Sequence, residues 1–150
     1  MIRTAEETDI PRIVELGMQS LLDGPYAGII KQNPKKAAES ALRVIQAANG
    51  KILLYLNDAA VIVGVLAFVI YPEIFTGEDT AHELMWYVLP DERKGGAGTK
   101  LLWAAENLAK SLGAVWMGVT SPSPDVSAIY KRFGYNPMET AYLKRLTCHS

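Results

Sequence analysis

Residues 88–110 read VLPDERKGGAGTKLLWAAENLAK, with Gly95, Gly96 and Gly98 set just before a helical pattern. Upstream, AHELMWYVL (81–89) is rich in strand formers and Pro90 stops it. Downstream, Leu101, Leu102, Ala105, Leu108 and Leu112 recur at helical spacing, and Gly113 supplies the stop. A strand therefore runs through a glycine loop into a helix. A helix N-terminus carries unpaired N–H groups and partial positive charge. Glycines let a ligand approach that backbone closely, and Arg93 and Lys94 stand just ahead of them. The arrangement suits a phosphate; the alternative is a tight turn that binds nothing.

On the N-terminal side, MIRTA reads as a first strand and EETDIPRIVELGMQSLL as a helix, with Thr8 or Asp9 as cap and Pro11 in the first turn. DGPYAG breaks the chain. NPKKAAESALRVIQAANG reads as a second helix, capped by Asn33, opened by Pro34 and closed by Asn49-Gly50. KILLYL and AAVIVGVLAFVI flank Asn57-Asp58 and read as a hairpin. Beyond the glycine helix come a strand, AVWMGVT, a short helix in SPSPDVSAIYKRFG, and an alternating final strand, ETAYLKRL. The order is β-α-α-β-β-β-α-β-α-β, a mixed α/β (α+β) layer structure in one domain over 1–150.

Composition narrows the class. Lys and Arg number 15 against 16 Asp and Glu, a formal net charge of −1, which disfavours a nucleic-acid partner. The longest apolar run, residues 59–70, is too short for a membrane span and reads as a buried strand. The opening MIRTAEETDI is mixed and charged, unlike a secretory leader. A single cysteine, Cys148, excludes an intrachain disulfide and a cysteine-rich metal site, and fits a reducing, cytoplasmic setting. Cys148 and His149 read as a loose tail without a role.

Two phosphate motifs fail on the glycine loop. GGAGTK has the wrong order for G-x-x-x-x-G-K-[ST]. A G-x-G-x-x-G fingerprint starting at Gly96 would meet Leu101 at its third glycine, and VWMGVT ends without an acidic residue. A third pattern fits: Val88, Pro90, Arg93, Gly96 and Gly98 match V-x-P-x-x-[QR]-x-x-G-x-[GA], so the segment resembles motif A of the GNAT (GCN5-related) N-acetyltransferases. The element order, the opening IRTAEETDIPRIVEL and the pattern Tyr130-x-x-x-Gly134-Tyr135 are similar to that family as well.

The resemblance implies a mixed central sheet of six to seven strands with about four helices, and acetyl-CoA or another short acyl-CoA as cofactor. It implies that the pyrophosphate rests on N–H groups of Lys94, Gly95, Gly96, Ala97, Gly98 and Thr99, aided by Arg93. The pantetheine arm would pair with the backbone of Trp86, Tyr87 and Val88; for the Trp86 side chain, simple packing is the better reading. The chemistry is attack of an amine on a thioester. The amine must lose a proton, the oxyanion needs a donor such as a backbone N–H near Val88, and the leaving thiolate needs a proton. Tyr130 is the acid the resemblance implies, since a phenol donates without being ionised at neutral pH. Glu83 and His82 are the candidate bases. They point opposite ways on a regular strand, with His82 sharing the parity of Leu84 and Trp86 unless a bulge intervenes. Many family members carry an Asn where this chain has Ser123; either Ser123 or Asp125 would substitute as the cofactor contact, or the loop runs differently. No metal is implied.

The acceptor, an amine on a small molecule or a protein, would enter between Leu21–Pro34 and Pro72–Thr80, where Glu73, Glu78 and Asp79 attract a cation or form a solvated loop. The leading function is acetyl-CoA-dependent N-acetyl transfer; the alternative is a catalytically silent acyl-CoA-binding module. A homodimer is compatible with the sequence.

Overall fold

The run VIVGVLAFVI (61–70) is apolar without alternation, as expected of a strand covered on both faces. In the computed structural model all of it but Val61 lies within β3 (Ile62–Pro72), the centre of a five-stranded sheet ordered β1-β2-β3-β4-β5 among the described residues. The structure describes residues 1–147; Cys148 and His149 lie outside them. Two compact units are present, Met1–Thr120 and the residues from Ser121 onward.

The first unit holds β1 (Ile2–Thr4), α1 (Ile10–Asp23), α2 (Pro34–Gln46), β2 (Gly50–Leu56), β3, β4 (Asp79–Val88), α3 (Ala97–Ser111) and β5 (Trp116–Gly118). Pairing is antiparallel from β1 to β4 and parallel between β4 and β5. A parallel pair needs a crossover, and α3 provides it. Short 3-10 turns cover Glu7–Asp9 and Pro90–Gly95.

Register sorts side chains between two faces, because directly opposed residues of an antiparallel pair share one. Val65 opposes Leu54 and Tyr87, and Ala67 opposes Ile52 and Met85. These pack with Ile13 and Leu16 of α1 and Ala41 of α2. The other set includes Gly64 opposite Val88 and Leu66 opposite Trp86. It receives α3: a Cβ on Gly64 would stand 3.0 Å from Leu101 Cδ1. That space is what lets Leu101, Leu102 and Ala105 bury completely.

Several local expectations hold. The Asn33 side chain accepts from Lys36 N at 3.1 Å with Pro34 as first helical residue, and Gly113, at φ +96°, follows the end of α3. Others change. Asp9 does not cap α1; its carboxylate grips the Arg3 guanidinium at 2.7 and 2.9 Å and accepts from Glu6 N at 2.8 Å. Gly50 does not close α2 but opens β2, where a Cβ would lie 2.8 Å from the Val44 carbonyl oxygen. The hairpin turn is wider than Asn57-Asp58: Asn57 N donates to Val61 O, and the Asn57 side chain accepts from Ala59 N and Val61 N.

Six strands read from the sequence become five among the described residues. Residues 139–146 form no strand, and Tyr142 in the middle of them is 93% exposed. Alternation gives a segment a strand's two faces but not a partner, and a strand exists only in a ladder. The second unit contains α4 (Pro124–Arg132).

Candidate active site

Strand β4 is irregular where the candidate bases lie. Ala67 opposes Met85 but its neighbour Phe68 opposes Glu83, so Leu84 is an extra residue, a β-bulge. The bulge reverses the alternation upstream of it. Glu83, opposite Phe68, shares the α3 face with Trp86, whereas His82, opposite Val69, falls on the face of Met85 and Tyr87. The parity expected of His82 on a regular strand is thus overturned.

On its other edge β4 pairs with β5 only from Thr80 to His82, and the ladder stops at His82–Gly118. Among the described residues no strand pairs with that edge of β4 from Glu83 to Val88. An extended ligand can add to a sheet along such an edge, although Val88 O already accepts from Arg93 Nε at 2.8 Å. Trp86, Tyr87 and Val88 belong to this stretch.

At the end of β4 the chain makes the 3-10 turn Pro90–Gly95 and then enters α3 through Gly96. Gly96 is left-handed at φ +79°, a conformation that favours glycine. The N-cap of α3 is Gly96, which has no side chain to accept from the helix's first N–H groups. Thr99 Oγ1 donates to Gly96 O at 3.0 Å, and Lys100 N donates to the same carbonyl. A Cβ on Gly98 would stand 3.3 Å from Cζ2 of Trp86, so the indole packs beneath the mouth of the helix. Gly95 has open space around it, Lys94 is exposed in the turn, and the Ala97 side chain is buried.

Arg93 is used differently from the expectation of a free cation. Its Nε donates to Val88 O at 2.8 Å, and its guanidinium carbon lies 5.4 Å from the Tyr87 ring centroid. The Tyr87 hydroxyl donates to the Asp23 carboxylate at the end of α1. Burial, then Asp23, pushes the Tyr87 phenol up to about 12, while the Tyr87 hydrogen bond holds Asp23 below its ordinary value. Asp23 was read from sequence only as part of a chain break; nothing local to DGPYAG announces a partner on β4.

Glu83 is half-buried and accepts from both Thr120 N and Thr120 Oγ1 at 3.1 Å. Burial raises its carboxyl above the usual carboxylate value, and the Thr120 bonds pull the other way. His82 stacks on Tyr71, ring centroids 3.8 Å apart and nearly parallel. Its buried Nε2 has no hydrogen-bond partner among the described residues, and burial lowers its basicity.

In the second unit Ser123 caps α4, its Oγ accepting from Val126 N at 3.4 Å. Tyr130 lies on α4 with its ring centroid 5.4 Å from that of Tyr135. Of the acidic residues expected to greet a cation, Glu73 is turned inward on its own loop, accepting from Phe75 N and Thr76 N at 2.9 Å each. Glu78 accepts from Trp116 Nε1 at 3.4 Å. Among the described residues no group of three or more His, Cys, Asp or Glu could hold a metal ion, and no helix is long and apolar enough to cross a membrane.

The fold recurs among solved proteins. An acetyltransferase from Trypanosoma brucei is 22% identical, with a TM-score of 0.75 over 97% of this chain and 99% of that one. An acetyltransferase from Clostridium acetobutylicum solved with acetyl-CoA is 18% identical, with a TM-score of 0.80 over 97% and 96%. AAC(6')-Iy, solved with the bisubstrate analog CoA-S-monomethyl-acetylneamine, is 20% identical, with a TM-score of 0.76 over 99% and 98%. No curated protein matches in sequence. The model of the acetyltransferase (GNAT) family matches residues 18–135, a span that takes in the end of α1, the bulged β4, the glycine turn and the Tyr130 segment. The chain belongs to the acetyltransferase (GNAT) family.

Proposed function

We propose that the chain, as one domain over 1–150, moves an acetyl group from acetyl-CoA to an amine of a small molecule or protein in the cytoplasm. The observation that carries this reading is the β4 strand running on past the end of its ladder with β5 and into α3 through the left-handed Gly96. It offers strand-like backbone to an amide-bearing arm and helix N–H groups to a diphosphate, in the order in which coenzyme A presents them. Lys94, exposed beside that turn, adds positive charge. A chain with one cysteine needs no oxidising compartment.

Bound acetyl-CoA supplies the thioester carbonyl. Trp86, Tyr87 and Val88 hold its arm through backbone groups, and the turn from Lys94 to Thr99 holds its phosphates. Glu83 is the general base: its raised carboxyl brings it nearer to the basicity that proton removal at neutral pH requires. Thr120 fixes the carboxylate in place. His82, stacked on Tyr71 and with its basicity lowered by burial, is the weaker candidate. Tyr130 is the proton donor to the leaving thiolate on the strength of its place in the Tyr130-x-x-x-Gly134-Tyr135 pattern. Ser123 supplies a further cofactor contact through its hydroxyl hydrogen.

The test is calorimetry with acetyl-CoA followed by a thiol-release assay across polyamines, amino acids, aminoglycosides, peptides and simple alkyl and aryl amines. Binding with turnover on an amine supports the reading. Binding without turnover on any class makes the protein an acyl-CoA-binding module, and absence of binding removes the cofactor assignment.

A further inference from the structure

A cavity of about 210 Å³ opens on the face of the sheet covered by α1 and α2. Its α1 wall includes Val14 and Gly17, its α2 wall Ala37 and Ser40, and its β4 end Leu84 and Met85. Leu84 is the extra residue of the bulge and is 52% exposed, so the cavity reaches the surface at the irregularity of β4. Among the described residues Ser40 is the only polar side chain in its lining, and no charged one takes part. An apolar cavity of about 150 Å³ accepts a benzene-sized ring, so this one has room for a phenyl group or a branched alkyl chain.

Gly17 shows that the space is not forced by the backbone. It lies inside α1 without a positive φ, and a Cβ there would meet only Met85 Cε, at 3.9 Å, an ordinary contact. Alanine is the better helix former at such a position, and a larger side chain would project into the cavity. A glycine that neither the turn geometry nor a close contact demands keeps the cavity open.

We infer that this cavity receives the apolar body of the acceptor, so that the amine acetylated is carried on an aryl or branched-alkyl group rather than on a polyamine, sugar or polar peptide. The inference rests on the acetyltransferase reading above, which puts the reacting thioester beside β4; the cavity, on the face of Met85, takes only the apolar body, and the amine meets the thioester and Glu83 at the β4 edge. The approaches agree with it in chemistry. Leu21–Pro34 exposes Leu22, Tyr26, Ile29 and Ile30, and the loop before β4 exposes Ile74 and Phe75, while Glu73 is held by its own loop. A cationic, multiply charged acceptor would find no side-chain carboxylate in the cavity wall.

The experiment has two arms. In the first, kcat/KM is measured for 2-phenylethylamine and 3-methylbutylamine against spermidine and a lysine peptide. Burial of a ring or branched chain of this size predicts an advantage of about 30-fold or more for the first two. Gly17→Leu and Ala37→Phe should remove most of it through KM while leaving acetyl-CoA affinity unchanged, and Gly17→Ala, which fits without strain, should retain it. In the second arm, 2-phenylethylamine is titrated into the protein without acetyl-CoA and the Met85 methyl resonance is followed. It should shift in the wild type and not in Gly17→Leu. Transfer to spermidine with an unshifted Met85 methyl keeps the acetyltransferase reading and overturns this one. A shifted Met85 methyl in a protein that binds no acetyl-CoA keeps the cavity assignment and removes the cofactor.

Discussion

The hydroxyl of Tyr87 on β4 donates to the carboxylate of Asp23 at the last turn of α1, while Arg93 lies over the same Tyr87 ring and holds Val88 O. The three side chains tie the end of α1, the end of β4 and the start of the glycine turn into one connected set. Tyr87→Phe keeps the ring under Arg93 and removes only the hydrogen bond. Because Asp23 is exposed and water replaces the lost donor, the expected loss of stability is modest, about 1 kcal/mol by chemical denaturation. The pH dependence has a definite sign. The Tyr87 phenol is raised to about 12 in the fold, so the stability it contributes is complete below the ordinary value near ~10 and is lost as pH rises through about 12. Alkaline absorbance titration should show a late-ionising tyrosine that is missing in Tyr87→Phe. A titration identical in both proteins would refute the assignment.

Gly96 and Gly98 are glycines for different reasons, and substitution separates them. Gly96→Ala must hold an L-residue at φ +79°, which costs about 1–2 kcal/mol before any ligand is considered. Gly98→Ala meets no backbone strain but brings a methyl group to 3.3 Å from Cζ2 of Trp86. Trp86→Phe removes that atom, so Trp86→Phe should partly rescue the stability of Gly98→Ala and leave Gly96→Ala unaided. A double-mutant cycle reads the coupling. Additivity between positions 86 and 98 would mean that the indole does not support the helix mouth.

The Arg3–Asp9 fork makes a prediction at the opposite end of the pH scale. The Arg3 hydrogen bonds hold the Asp9 carboxyl below its ordinary value, against burial. A carboxyl depressed in the fold contributes stability above its unfolded value near ~3.9, lost as pH falls through the folded one. Asp9→Asn should cost about 1–3 kcal/mol at neutral pH, where a largely buried charged acceptor is lost. Its acid-unfolding curve should be flatter than that of the wild type. Equal acid midpoints would exclude the fork as a contributor.

The local punctuation of this chain was legible and its long-range pairing was not. Asn33-Pro34, Gly113 and the glycine turn announce themselves because capping and left-handed backbone depend on adjacent residues. β3 was legible because a strand buried on both faces must be apolar throughout. The Asp23–Tyr87 bond escaped because its partners lie 64 positions apart and each has an ordinary local role. Asp9 was misread for a similar reason: a carboxylate ahead of a helix looks like a cap until Arg3 is folded beside it. The bulge at Leu84 has no sequence mark of its own, since it is set by how β4 aligns with Phe68 on β3, and the faces of His82 and Glu83 follow from it.

That reversal makes Glu83 the residue on which the proposed chemistry is best tested. It shares the α3 face with Trp86, and burial raises its carboxyl although Thr120 donates to it twice. The carboxylate is the form that removes a proton, so kcat/KM should rise with pH through an apparent value above the ordinary 4.5. Thr120→Val deletes the hydroxyl donor and should move that limb to higher pH. Glu83→Gln should lower kcat by about 100-fold or more with acetyl-CoA affinity little changed. Stability should move the other way. A carboxyl raised in the fold contributes stability below its unfolded value and loses it as pH rises, so at neutral pH the ionised side chain is a burden that Gln relieves. Glu83→Gln is therefore expected to unfold at equal or higher denaturant than the wild type while its turnover falls. An unchanged kcat would remove Glu83 from the mechanism, and an unchanged pH profile in Thr120→Val would show that the Thr120 hydroxyl does not tune it.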